Sequence, residues 1–262
     1  MGGSFTVRGV EIGGEHTRIC VPIMPATLDE LEEIVCRLDT DALDIVEWRA
    51  DALQNATIDD YLSGIEILRQ KLPKEVPVLF TLRTSNEGGG FSDAEDVYAA
   101  ALRKMAEAGI VDILDVELST RKENACVVIE AATNAGVRVV VSHHNFRGIH
   151  SREQIISIYE QMFELGADIA KVALMPVSLQ ECLEIMSVAE YVQREYPERA
   201  KILIGMGMYG LASRIMAQEI GSCIAFAYDA LVGVSAKTVA LGQISAQDMR
   251  QILKITGGYE KN

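Results

Sequence analysis

Short runs rich in β-branched residues alternate along this chain with longer stretches whose apolar positions recur at helical spacing. The runs at 18–23, 42–49, 76–83, 113–118, 138–144, 169–174, 202–206 and 223–228 predict strands. They are nearly continuous in apolar residues, the pattern of strands covered by helices. The first helical stretch follows Thr27, with Leu28, Leu31, Val35 and Leu38 on one face. Others are predicted over 58–70, 94–108, 125–135, 152–165, 179–195, 211–219 and 246–256, the last with Ser245 as N-cap. Before the first of these strands, Phe5, Val7, Val10 and Ile12 flank Gly9 and predict a short hairpin.

Eight strand–helix units in 262 residues predict one α/β domain spanning 1–262, a (β/α)8 TIM barrel whose N-terminal hairpin closes the bottom. An open doubly wound sheet is the alternative. Gly88-Gly89-Gly90 does follow a strand, but its spacing is not that of a dinucleotide fingerprint.

Alternation places Glu47 with Arg49, Asp115 with Glu117, Ser142 with His144, and Met206 with Met208 on shared faces near strand ends. Arg83 closes the third barrel strand, and His143 points away from His144. Each pair alone reads as an ordinary solvent-facing strand end. Recurring at equivalent ends, they mark the face where barrel active sites are built. Lys171 sits within the apolar run 169–174, closed by Pro176. A buried ammonium is costly, and burial favours the neutral amine, a nucleophile suited to carbonyls. A structural ion pair, or a stem lying inside with its head in water, is the competing reading.

Net charge of −14 argues against nucleic-acid and anionic-membrane partners. No run reaches membrane-spanning length, and no basic-then-apolar opening reads as a secretion signal. The five cysteines, Cys20, Cys36, Cys126, Cys182 and Cys223, form no CxxC pair, lie in apolar stretches and read as reduced core thiols of a cytoplasmic protein.

Several segments together resemble type I 3-dehydroquinate dehydratase: Glu47-Trp48-Arg49-Ala50-Asp51, the run from Phe80 to Gly89, Ser142-His143-His144-Asn145-Phe146, Lys171-Val172-Ala173-Leu174-Met175-Pro176, the run from Met206 to Arg214, and Gly242-Gln243. The resemblance runs from about Thr17 to the C-terminus. It implies a shikimate-pathway lyase, in which Lys171 forms a Schiff base with the C3 ketone of 3-dehydroquinate. His144 is then the general acid/base, and Glu87 the carboxylate that orients it. An iminium acidifies the neighbouring C–H, so neither metal nor cofactor is expected.

The resemblance also implies the substrate contacts. Arg214 and Arg83 would meet the carboxylate and ring hydroxyls, and Glu47 and Arg49 the hydroxyls. Met206 and Met208 would line the ring's apolar face, core filling being the plainer reading. Phe226 is either a site aromatic or a core residue. Asp115 and Glu117 would hold the arginines.

The family's lid reads Ser-Ala-Pro-Gly-Gln, and here the stretch is Val239-Ala240-Leu241-Gly242-Gln243. Ala240 and Gln243 remain candidate substrate contacts. The missing hydroxyl is worth about 1 kcal/mol, unless Ser235 or Thr238 replaces it. A homodimer follows from the resemblance alone. Two other readings stay open, a different Schiff-base barrel such as a class I aldolase and a non-catalytic barrel binding a shikimate-like acid.

Overall fold

The computed structural model describes residues 3–232 and 242–257. Strands β1 (Phe5–Val7) and β2 (Val10–Ile12) pair antiparallel around Arg8 and Gly9, which take φ of 49° and 87°. Two successive positive φ values make the two-residue turn whose twist matches its strands.

Eight strands follow: β3 (Arg18–Ile23), β4 (Ile45–Arg49), β5 (Val78–Thr81), β6 (Ile113–Glu117), β7 (Arg138–Asn145), β8 (Ile169–Leu174), β9 (Ala200–Gly205) and β10 (Ile224–Phe226). They pair in parallel in the order β10-β3-β4-β5-β6-β7-β8-β9. Parallel neighbours need long crossovers. Helices supply them: α1 (Leu28–Arg37), α2 (Ile58–Lys71), α3 (Glu95–Ala108), α4 (Lys122–Ala135), α5 (Arg152–Glu164), α6 (Leu179–Glu195) and the short α7 (Leu211–Ile215), with α8 (Ala246–Ile255) after β10. A parallel bridge between Lys201 and Ser222 joins the β9–β10 seam, where the Cys223 N–H donates to the Lys201 carbonyl at 2.8 Å.

Alternation along each strand separates two apolar layers. Outward residues such as Val46, Trp48, Phe80, Val116, Val141 and Leu203 pack under the helices. Inward residues Cys20, Ile45, Leu79, Ile113, Val140 and Ile169 fill the lower barrel, and Ile12 of the hairpin seals them from below. Above this floor the inward positions turn polar: Glu47, Thr81, Asp115, Ser142 and Lys171, then Arg49, Arg83, Glu117 and His144.

The helix starts are written in the sequence. Thr27, Thr57, Ser151, Ser178 and Ser245 each accept a backbone N–H from the first turn, and Thr57 and Ser151 complete capping boxes with Asp60 and Gln154. Each such cap is worth about 1 kcal/mol.

Two expectations are corrected. The helix expected over 211–219 stops at Ile215, because the chain must drop back to the base of the barrel, where Cys223 meets Lys201. The thiols are all free, but only Cys20, Cys182 and Cys223 are buried. Cys36 and Cys126 lie on outer helix faces, since Leu31 and Val35 of α1, and Ala125 and Ile129 of α4, take the inward positions.

Candidate active site

Lys171 projects inward from the middle of β8 and is buried. Its Nζ lies 4.2 Å from the centre of the Phe226 ring, 3.6 Å from Glu47 Oε1 and 3.9 Å from Asp115 Oδ2. Burial is therefore not its whole environment, since two carboxylates lie within ion-pair range. Among the described residues, however, Nζ makes no hydrogen bond. Glu47 is instead held by the Thr81 hydroxyl at 2.9 Å.

A second buried lysine gives the contrast. Lys201 donates to Gln193 Oε1, the Ile220 carbonyl and the Gly221 carbonyl at 2.9, 2.8 and 3.0 Å. Its three donors are used where the base of the barrel closes, which is structural work.

Arg83 is the charge hub of the mouth. Nη1 donates to Glu117 Oε1 at 3.0 Å and to the Ser142 hydroxyl at 2.8 Å, while Nη2 donates to Asp115 Oδ2 at 2.8 Å. Burial opposes its charge, but Asp115, Glu117 and Glu87 outweigh that and hold the guanidinium above its ordinary value. Glu117 also accepts from the Thr84 backbone and hydroxyl at 2.8 and 2.6 Å. Asp115 and Glu117 thus hold Arg83, as expected of them. Arg49 is held the same way, its Nε and Nη2 donating to Asp51 at 2.7 and 2.8 Å. Burial would raise the Asp51 carboxyl, but Arg49 and the N–H groups of Gly90 and Arg83 hold it below the usual range.

His144 comes from the end of β7, adjacent to the Lys171 strand. Its Nδ1 is 2.8 Å from Glu87 Oε2, and the same oxygen accepts the His144 backbone N–H at 3.1 Å. Glu87 is carried by a 3-10 turn, Ser85–Glu87, after β5. Burial, then Arg83 and Lys171, press the imidazole well below its ordinary value. Burial and Glu117 push the Glu87 carboxyl up to about 8, against the pull of Arg83. The two shifts share their largest cause, burial, which disfavours charge on either partner. The histidine is accordingly a neutral base near pH 7, and among the described residues its Nε2 has no hydrogen-bond partner.

Arg214, on α7, is buried with a single hydrogen bond, from Nη1 to the Phe226 carbonyl at 3.3 Å. Among the described residues it has no ion pair, its buried Nε is unsatisfied, and burial alone lowers it to about 10. A guanidinium in this state is built to receive an anion.

Met206 is buried at the top of the inner cluster. Met208 is not its companion there. Gly207 takes φ of 70°, the strand alternation ends, and Met208 stands 61% exposed on the following turn. Phe226 faces Lys171. Gln243 is half-buried beside Gly242, whose α-carbon abuts the Gly207 carbonyl closely enough that a Cβ would lie 2.3 Å from it. Ala240, with Ser235, Thr238, Val239 and Leu241, lies outside the described residues.

The sequence reading missed Asp51 and Thr81 as holders of Arg49 and Glu47, and it missed His150. Asp51 was within reach, two residues beyond Arg49. Thr81 shares the inward face of its strand with Arg83, but its partner sits on another strand.

Among the described residues, the mouth therefore brings together a buried amine without hydrogen bonds, an imidazole with one nitrogen free, and a guanidinium without an anion. That set can capture an anionic ketone, condense with it and move a proton beside the new C=N bond.

The comparisons with known proteins agree with this chemistry. Residues 19–260 match the family described as Type I 3-dehydroquinase. The 3-dehydroquinate dehydratase of Alkaliphilus oremlandii is 33% identical over 95% of this chain and 95% of its own. That of Klebsiella pneumoniae is 32% identical over 97% of this chain and 99% of its own. The crystal structure of the type I 3-dehydroquinate dehydratase from Clostridium difficile, with covalent modified comenic acid, superposes with a TM-score of 0.91 at 30% identity, covering 98% of each chain. That from Geobacillus kaustophilus gives 0.87 at 31% identity, again over 98% of each chain. With a (β/α)8 barrel, a buried lysine at its mouth and this match over nearly its whole length, the chain belongs to the type I 3-dehydroquinase family, the Schiff-base dehydratases of the shikimate pathway.

Proposed function

We propose that this chain, acting as one barrel domain, converts 3-dehydroquinate to 3-dehydroshikimate with Lys171 as nucleophile and His144 as proton carrier. The Lys171 amine adds to the C3 ketone, and loss of water gives an iminium. His144 Nε2 removes a C2 proton, and the C–H electrons flow into the iminium to form an enamine. The enamine expels the C1 hydroxyl, which takes that proton from His144 and departs as water. Hydrolysis of the conjugated iminium frees the product and Lys171. Glu87 fixes the His144 tautomer, because its Oε2 accepts the His144 backbone N–H and the Nδ1–H while any carboxyl proton sits on Oε1, so that Nε2 is the base. Arg214 receives the substrate carboxylate. Arg83 and Arg49, already gripped by carboxylates, serve the hydroxyls through whatever donors those grips leave, together with Glu47. Met206 and Phe226 supply apolar contact and Gln243 a polar contact at the rim. Met208, exposed on the turn after Gly207, is a candidate apolar contact at the rim.

The observation that carries this reading is the state of Lys171: buried like Lys201, yet without the hydrogen bonds that occupy Lys201. Borohydride added during turnover of 3-dehydroquinate should fix substrate mass on the Lys171 peptide. The ultraviolet absorbance of the conjugated product should rise with wild-type protein and not with Lys171→Ala, which should remain folded. Turnover retained by Lys171→Ala would overturn the assignment. Trapping without absorbance would point to a different Schiff-base barrel, and neither signal to a binding protein.

We further place the protein in the cytoplasm, on the strength of its five unpaired thiols. A homodimer is proposed on family grounds. Among the described residues no helix is long and apolar enough to cross a membrane.

A further inference from the structure

Behind His144 the titratable groups do not end at Glu87. The other carboxylate oxygen, Oε1, lies 3.8 Å from Nδ1 of His143, the residue whose side chain leaves the opposite face of β7. The far nitrogen of that ring, Nε2, lies 3.0 Å from Nε2 of His150, in the loop before α5. The two ring centres are 5.2 Å apart, so the two nitrogens face each other nearly along the line between the rings. A cation on that line would need an N···N separation of ~4 Å, because metal–imidazole bonds are about 2.0–2.1 Å. The pair is therefore joined by a proton, one ring donating and the other accepting. His150 in turn lines an open groove between α5 and α6, with Arg152, Gln180, Leu183 and Glu184 along it. A file of proton-carrying groups, hydrogen-bonded except at the 3.8 Å step between Glu87 and His143, thus runs from the catalytic mouth, through the barrel wall, to a second surface.

We propose that Glu87, His143 and His150 form a proton relay linking the rear of His144 to solvent in the α5–α6 groove. The inference rests on His144 being the proton carrier. The tautomers make the relay specific. When Glu87 is a carboxylate, His143 presents Nδ1–H to it and accepts at Nε2 from His150. When Glu87 is protonated, His143 accepts at Nδ1 and donates from Nε2. Passage outward starts from the second arrangement, with Nε2–H on His143, which an inward pass leaves behind, so the two directions alternate and each needs only proton hops. The imidazolium of His144 gives its Nδ1 proton to Glu87. Glu87 rotates its carboxyl to close the 3.8 Å gap and gives a proton to His143 Nδ1. The Nε2 proton of His143 crosses the 3.0 Å bond to His150, and His150 releases its Nδ1 proton to water. Every group returns to neutral imidazole or carboxylate, and one proton has left the site. The reverse sequence brings one in. Traffic of this kind is required because iminium formation from a neutral amine takes up a proton that its hydrolysis later returns. His143 and His150 are positioning residues here, acting on the reaction only through Glu87. Burial and His150 hold His143 down at about 4, so it stays a neutral two-way carrier at working pH.

The test compares His143→Phe and His150→Ala with wild type and with His144→Ala. Three readouts are needed: kcat and KM from the ultraviolet assay, deuterium uptake at C2 of unreacted 3-dehydroquinate in heavy water, and restoration by added imidazole. The relay predicts a five- to twentyfold lower kcat in both variants, KM within about twofold, and exchange slowed in parallel. It also predicts that imidazole restores His150→Ala, whose missing ring borders the open groove, and not His143→Phe. If His143→Phe does not fold, the surface variant His150→Ala carries the test alone. Unchanged kcat and exchange in a folded His150→Ala, or a loss that imidazole does not repair, would overturn the relay. Those outcomes leave the His144 assignment standing provided His144→Ala is inactive. Wild-type turnover by His144→Ala would instead remove the reading on which the relay rests.

Discussion

Arg83 and Arg214 are both buried in the mouth, and they are opposites. Arg83 stands among three carboxylates and a hydroxyl, so its charge is satisfied before any ligand arrives. Arg214 gives one hydrogen bond to a carbonyl and, among the described residues, meets no carboxylate. A buried cation without a partner destabilises the empty fold, because desolvation is not offset by attraction. The two arginines therefore respond differently to removal. Arg214→Met keeps the stem volume and deletes the charge. It should raise the urea midpoint, by about 1 kcal/mol or more in unfolding free energy. It should also lower kcat/KM for 3-dehydroquinate by roughly 10- to 100-fold, the worth of a charged hydrogen bond of about 1.5–3 kcal/mol. Equilibrium unfolding and the ultraviolet assay on the same preparation check both halves. A less stable Met variant would mean that the guanidinium has structural work of its own. Lysines show the same division: Lys201 is spent on the seam, and Lys171 is held in reserve.

What delivers Arg214 to the mouth is a tight crossing at the end of β9. A Cβ built on Gly210 would lie 2.1 Å from the Gly205 backbone carbon, and the Ser213 hydroxyl ties the Gly205 N–H to the Gly210 carbonyl at 2.8 and 2.7 Å. Gly210→Ala must push the turn off β9 and carry α7, with Arg214, away from the barrel axis. Overpacking of this kind costs about 1–3 kcal/mol. Thermal unfolding should show that loss, together with a fall in kcat/KM that exceeds the fall in kcat. A variant with wild-type KM would show that α7 does not depend on the glycine pair. This crossing also marks where the sequence stopped being readable. Helices α1 to α6 were legible because each buries one face and burial imposes its period, and strands β3 to β9 because burial on both faces makes them nearly continuous apolar runs. Lys171, His144 and Glu87 were legible as candidates because the segments that carry the family resemblance hold them, and the fold brings all three to the mouth. Past Gly205 the backbone leaves regular alternation, so pairing Met206 with Met208 by strand spacing failed at Gly207, and the helix expected to 219 ended at Ile215. The holders of Arg83 were legible only through the family resemblance and not through spacing. Arg83 meets Asp115 and Glu117 across a difference of 32 and 34 positions, which only the β5–β6–β7 arrangement brings together.

At the scale of the whole molecule the relevant quantity is the field that a substrate anion meets on approach. Within the mouth, Glu47, Asp51, Glu87, Asp115 and Glu117 stand against Lys171, Arg49, Arg83 and Arg214, and Glu87 is partly discharged by its raised pKa. These charges come close to cancelling, so at a distance the anion sees the charge of the chain as a whole, which is −14. A protein of that sign repels an anionic substrate. Screening should therefore help. Raising ionic strength from about 0.01 to 0.15 M shortens the Debye length from ~30 to ~8 Å, which removes the long-range repulsion and leaves the desolvated Arg214 contact nearly intact. The expected result is a kcat/KM that rises by a factor of a few across this range while kcat stays constant, the opposite of the fall with salt seen where a site steers its ligand. Assays in sodium chloride and in potassium chloride, matched in ionic strength, separate screening from a specific ion effect. A kcat/KM that falls with salt would show that local positive potential at the barrel mouth reaches solvent and outweighs the acidic surface around it.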